Sequence, residues 1–146
     1  MENLIIKSTK NTPLVNLDWA TGICEISGES FPGNSSKFWR PVFKWLNEYI
    51  ALGKREITFK FRLSNINLGS SKAIFSIMSI LGNYRQSGID AKAYWYFPEN
   101  DLQFMDMWKE LTEDAAIPNF LINSENIAAA DPFSGIKIGK SLIIND

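Results

Sequence analysis

The segment Glu56 to Ser64 restricts the fold more than any other part of the chain. Ile57, Phe59, Phe61 and Leu63 alternate there with Thr58, Lys60, Arg62 and Ser64. A period of two over that length is a β-strand with one apolar and one polar face. On either side the period changes. Phe38, Val42, Trp45, Leu46 and Tyr49 precede it, and Ile74, Ile77, Met78, Leu81 and Tyr84 follow it, both at helical spacing. A strand between two amphipathic helices belongs to an α/β sheet. Because the other face of the strand is polar, the helices are expected mainly on one side.

The rest of the chain extends the pattern. Thr12 to Asp18 alternates after Pro13, Ala20-Thr21-Gly22 reads as a turn, and Ile23, Cys24 and Ile26 form a short strand ending at Gly28. Together they predict a hairpin, with Leu4-Ile5-Ile6 as an edge strand. Phe31 to Ser36 is a turn with capping residues. The first helix stops at Gly53, and Pro41 is expected in its first turn, where a missing N–H costs nothing. Asn65 to Gly69 reads as a loop, Ser70 or Ser71 as the cap of the second helix, and Gly88 as its end. Gly82, costly inside a helix, implies a close neighbour. Ala91 to Phe97 is a strand, Asn100 caps a helix reaching about Glu113, and Phe120-Leu121-Ile122 is a last short strand. Beyond about Ser124 the pattern weakens, and Leu142-Ile143-Ile144 reads as an edge strand or part of a loose tail. The expectation is an α/β domain over residues 1–123, a mixed and mostly parallel sheet, and a C-terminal extension over 124–146.

Composition narrows the chemistry. The chain has 146 residues, 45% of them hydrophobic, which is enough for one packed core. It has no histidine and one cysteine, Cys24. That excludes Ser-His-Asp and Cys-His couples, His-ligated zinc and an intrachain disulfide. The formal net charge of −1 gives no overall attraction for nucleic acid. No signal peptide and no apolar run long enough to span a bilayer is read, so the expectation is a cytoplasmic protein with no membrane insertion.

Three constellations look chemical and have plainer explanations. Gly135 to Ser141 resembles a phosphate loop, but Ser134 stands where the pattern needs glycine, and no long helix can follow. Asp101, Asp106, Glu110, Glu113 and Asp114, interleaved with Lys109, read as a solvated helix face rather than a magnesium site. Gly69-Ser70-Ser71-Lys72 lacks the serine three residues before lysine that a Ser-Lys nucleophile needs. It does lead from a central strand into a helix N-terminus, where free N–H groups favour an anion. The tryptophans lie mostly on apolar stripes. Trp39 and Tyr94 lie off them and are candidates for partner contact.

Taken together, Thr12-Pro13-x-Val15, Asp18, Gly22, Ile26-x-Gly28-x-Ser30-x-Pro32-x-Asn34 and Phe38-x-x-Pro41-Val42-x-x-Trp45-Leu46 resemble the SiaC-like family of bacterial regulatory phosphoproteins. Asn67 to Lys72, Glu113-Asp114 and Pro118-Asn119-Phe120 continue the resemblance, which covers about residues 9 to 122. It implies a single STAS-like domain, akin to anti-sigma-factor antagonists, with no enzymatic activity and no cofactor. It implies a protein that, unphosphorylated, binds and stimulates a GGDEF-type diguanylate cyclase, with cyclic di-GMP and biofilm behaviour as output. A kinase of histidine-kinase-like fold and a PP2C-like phosphatase would act on it. The partner-binding residues implied are Asn67, Leu68, Gly69, Ser70, Ser71 and Lys72.

One departure alters the expectation. The family's loop reads Asn-Thr-Ser-Ser-x-Lys, and its threonine accepts the phosphate. Anchored on Asn67 and Lys72, Leu68 falls at that threonine and Gly69 at the first serine. The expectation is a lost switch at Leu68, with Ser70 as the substitute acceptor. The alternative function is an anti-sigma-factor antagonist in a partner-switching module. An enzyme working through carboxylates and lysines is the remaining class.

Overall fold

A computed structural model describes residues 1–53, 55–97, 101–123 and 141–144. Among these the elements run β1 (Asn3–Ile6), β2 (Leu14–Leu17), β3 (Ile23–Ser30), α1 (Ser35–Ala51), β4 (Ile57–Ile66), α2 (Leu68–Gln86), β5 (Ala91–Phe97), α3 (Leu102–Thr112), β6 (Asn119–Asn123) and β7 (Ser141–Ile144). They form a seven-stranded sheet in the order β6-β5-β4-β3-β2-β1-β7. β2 is antiparallel to both β1 and β3, and every other pairing is parallel.

The topology explains why the helices share a face. From β3 to β4, β5 and β6 the chain moves one place along the sheet at each step, always in the same direction. Crossovers between parallel strands are right-handed, so successive steps in one direction put every connecting helix on the same side. On that side Cys24 and Ile26 of β3 lie in register with Phe59 and Phe61 of β4. Phe59 and Phe61 in turn neighbour Ala93 and Trp95 of β5. All six are buried, with Phe61 stacked on Trp95 at 4.2 Å between ring centroids. The alanines leave room for the large rings beside them, as close packing requires.

The polar face of β4 is less exposed than its sequence implies. Thr58 and Lys60 are buried, Arg62 sits 3.7 Å over the Tyr96 ring, and its Nε donates to Glu25 at 2.7 Å. Long cationic stems cover apolar surface well, so a strand can alternate in sequence and still be covered on both sides.

Several boundaries differ from the sequence expectation. Pro41 lies inside α1, not in its first turn, because Asn34 caps the helix by accepting from Lys37 N. The side chain of Asn67, not Ser70 or Ser71, caps α2, accepting from Ser70 N at 3.0 Å. β4 consequently runs on to Ile66 and shortens the expected loop. Asp101 caps α3 by accepting from Phe104 N, and the expected cap Asn100 lies outside the described residues. Gly82 behaves as anticipated, since a Cβ there would lie 3.1 Å from Ala116 Cβ. Leu142 to Ile144 belong to the sheet, as β7 paired with β1, rather than to a loose tail. The Gly135-to-Lys140 part of the apparent phosphate loop lies outside the described residues.

Candidate functional site

The C-terminal ends of the parallel strands, where α/β sheets commonly bind ligands, carry the turn from β4 into α2. Its anchor is the end of β3. Gly28 has φ +104°, and the register between β3 and β4 shifts between Gly28 and Glu29. A residue with a Cβ avoids that conformation, so glycine permits the bulge that carries β3 on to Ser30. The Ser30 carbonyl then accepts from Asn67 N at 2.9 Å and from Ser70 Oγ at 3.0 Å. The Ser30 and Ser70 hydroxyls lie 2.6 Å apart, and Asn67 Nδ2 donates to the Pro32 carbonyl at 3.3 Å. Ser30, Pro32 and Asn34 of the Gly-x-Ser-x-Pro-x-Asn run thus hold the start of α2 and cap the start of α1.

This framework sorts the six candidate residues. Leu68, the first residue of α2, is 70% exposed, a large apolar side chain turned to solvent at a helix N-terminus. Lys72, one turn on, is also exposed, and Ser71 is half-buried. Asn67 is structural, as the cap. Gly69 marks a close approach, since a Cβ there would collide with Ser35 Oγ and lie 2.7 Å from Ser35 Cβ. Ser70 is fully buried with its hydroxyl engaged. A phosphate on it would need three acceptor oxygens and about −1.5 to −2 charges accommodated beside the Ser30 carbonyl. The geometry therefore argues against Ser70 as the substitute acceptor.

Other residues complete the surface. A groove of about 750 Å³ runs between α1 and α2, lined by Trp39, Arg40, Phe43, Lys44, Lys72 and Ala73 among others. Phe75 is 50% exposed and, seven residues after Leu68, shares its side of α2, where it lines a separate cleft between α2 and α3. Trp39, expected at a partner surface because it lies off the stripe, is instead buried in contact with Phe38. Tyr94, the other off-stripe aromatic, is half-buried and stacks on Phe120 at 5.0 Å. Phe75 was legible in principle, since it too lies off its helix's apolar stripe. The groove was not, because it needs two helices side by side.

A second cavity, of about 490 Å³, lies at the opposite ends of the strands and is lined by Tyr49, Arg55, Glu56 and Asp90. Tyr49 and Arg55 are engaged structurally there. Arg55 Nη2 donates to the Ala20 carbonyl, its guanidinium lies 5.4 Å from the Trp19 and Tyr49 ring centroids, and the Tyr49 hydroxyl donates to the Glu56 carbonyl. Burial pushes the Tyr49 hydroxyl up to about 12. It also raises the Cys24 thiol well above its ordinary value, helped by the nearby Asp18 carboxylate. Among the described residues no group of three or more Cys, Asp or Glu is placed to hold a metal ion, and no helix is long and apolar enough to cross a membrane.

Comparisons with known proteins agree with this geometry. The chain is 29% identical over 118 residues to the Pseudomonas aeruginosa protein PA14_02130, covering 81% of this chain and 94% of that one. Its fold matches crystalline apo-SiaC from P. aeruginosa with a TM-score of 0.78 at 28% identity, over 83% of this chain and 98% of the other. It matches SiaC as seen in complex with the diguanylate cyclase SiaD, whose activator SiaC is, with a TM-score of 0.79 at 27% identity, over 82% and 98%. The model of the SiaC family regulatory phosphoproteins matches residues 6–125. The chain with its Leu68-bearing loop is therefore a member of the SiaC family of regulatory phosphoproteins.

Proposed function

We propose that this protein is a non-enzymatic regulator that binds and stimulates a GGDEF-type diguanylate cyclase through the start of α2. The observation that carries the reading is Leu68. A large apolar side chain stands 70% exposed on a rigid helix N-terminus, at the position where the family places its phosphoacceptor threonine. The match to a SiaC structure in complex with a cyclase supports the choice of partner class. The fold match to SiaC and the absence of histidine support a role without catalysis.

The regulatory consequence follows from chemistry. A threonine phosphate at the start of α2 would meet its free N–H groups and Lys72, and would present an anion that is costly to desolvate in an interface. Leucine accepts no phosphate and offers apolar contact instead. Binding in this chain is then constitutive, with no control by a kinase or a PP2C-like phosphatase at this position. Function of this kind belongs in the cytoplasm, where a cyclase's GGDEF domain and its nucleotide substrate reside.

The test takes the diguanylate cyclases encoded in the same genome, expressed singly, and measures affinity and cyclic di-GMP output with and without this protein. Binding to one of them and stimulation of its output, with no phosphopeptide from residues 67–72 in cells, is the expected result. A partner-switching kinase captured in place of any cyclase would favour an anti-sigma-factor antagonist. A phosphate on Ser71 would show that the switch has moved rather than vanished.

A further inference from the structure

We propose that the sheet face opposite the helices is the docking surface of this chain's own residues 124–140, which occupy it in place of a partner. The registers set Ile5, Asn16, Glu25, Lys60, Tyr94 and Phe120 side by side in one row across six strands. Ile5, Asn16, Glu25, Lys60 and Tyr94 each stand between two core residues of their strand, so the row looks away from α1, α2 and α3. A bare face would leave such side chains exposed. Instead Lys60 is 8% exposed and, one row on, Tyr96 is 3% exposed. Cationic stems shield a tyrosine ring, but a lysine is almost never buried without cover of its own. Asn16 Oδ1 is shielded from solvent as well. Sheets of parallel strands are as a rule covered on both faces, and the helices account for one.

Topology names the occupant. β6 and β7 are the opposite edges of the sheet, six strand spacings or roughly 29 Å apart. They point the same way, since β7 is parallel to β1, β1 and β3 are both antiparallel to β2, and β3 to β6 are parallel. The chain between them therefore recrosses the width of the sheet and returns along a strand, a path of roughly 30–35 Å. Residues 124–140 reach about 60 Å when extended, enough to cross the open face with slack. Passing outside the helix layer, about 10–12 Å thick, would draw on nearly all of that reach. Charge agrees. Lys60 and Arg62 lie on β4, toward the β6 side, and the segment's acids, Glu125 and Asp131, come first. Glu25 lies further across on β3, and the segment's cations, Lys137 and Lys140, come last. Ile127, Phe133, Ile136 and Ile138 supply apolar side chains for the tyrosine rings. The family match ends at residue 125, so nearly all of this occupant lies beyond it. Partners are left the helix face, where Leu68 stands.

The experiment uses the full chain. A photo-activatable cross-linker is attached to the thiol of Glu25→Cys, on β3 at the centre of the sheet, where the buried Cys24 does not compete for it. Illumination and peptide mapping are expected to join it to a peptide from 124–140 within one copy of the chain. Because that label displaces the bond between Glu25 and Arg62, a second measurement leaves the face untouched. Amine labelling of Lys60 is followed in wild type and in a Phe133→Asp/Ile136→Asp protein, with circular dichroism confirming folding and the exposed Lys44 as reference. Lys60 should label at least about tenfold more slowly than Lys44 in wild type and speed up at least about fivefold in the double variant, with Lys44 unchanged. Cross-links to a second copy, or solely to peptides outside 124–140, overturn the proposal. So does Lys60 labelling that stays within about twofold of wild type in the folded double variant. Neither readout involves a cyclase, so the outcome stands apart from the reading of Leu68.

Discussion

Replacing Leu68 by glutamate should move stability and partner affinity in opposite directions. Fully burying a leucine side chain is worth about 1.5–3 kcal/mol. Leu68 is 70% exposed in the free protein, so roughly 1–2 kcal/mol of that remains to be gained in a complex. Glutamate forfeits this gain and adds a carboxylate whose desolvation costs about 1–3 kcal/mol more. Together that is about 2–5 kcal/mol, or at least roughly 30-fold in affinity at 1.4 kcal/mol per decade. The fold should not suffer. Leu68 is the first residue of α2, where a negative charge gains about 0.3–1 kcal/mol from the helix dipole. Calorimetry against the cyclase should therefore show the loss, while thermal denaturation shows an unchanged or slightly raised midpoint. Leu68→Thr, smaller and neutral, should keep affinity within about tenfold, since it forfeits only part of the apolar gain. Affinity within threefold of wild type for a folded Leu68→Glu protein would refute the argument and move the partner surface elsewhere.

Three further outcomes are expected. Gly69→Ala should destabilise by about 1–3 kcal/mol in a urea melt despite alanine's better helix propensity, because the new Cβ meets Ser35, and Ser35→Gly should recover most of the loss. Phe59→Ala should cost about 3–5 kcal/mol in the same assay, since the ring is fully buried under the helices; a loss below about 1 kcal/mol would mean the face is inverted. Stability should fall as pH rises from about 10 toward 12. The native state holds the Tyr49 proton that the unfolded chain releases from its ordinary value upward, so the unfolded state binds fewer protons there. Tyr49→Phe should flatten that decline in pH-dependent melts while lowering stability overall, because the hydroxyl's bond to the Glu56 carbonyl is lost.

The sequence by itself determined the fold class and most of its elements. Period-two patterning in β4 and helical patterning in α1 and α2 follow from local geometry, which repeats along the chain and needs no distant partner. Leu68 was legible as a departure from the family's loop, whereas Phe75, though off its helix's stripe, was not singled out. What only the tertiary structure decided was how positions far apart in sequence meet. Ser70 looks like an exposed cap hydroxyl until the bulge at Gly28 brings Ser30 against it, and burial then argues against it as a phosphate acceptor. Trp39 lies off its helix's stripe, and its burial beside the groove between α1 and α2 shows only once the helices are placed together. The cations Arg40, Lys44 and Lys72 become one surface only when right-handed crossovers set α1 and α2 side by side, because spacing along a helix fixes neighbours within it and says nothing of the helix that packs beside it.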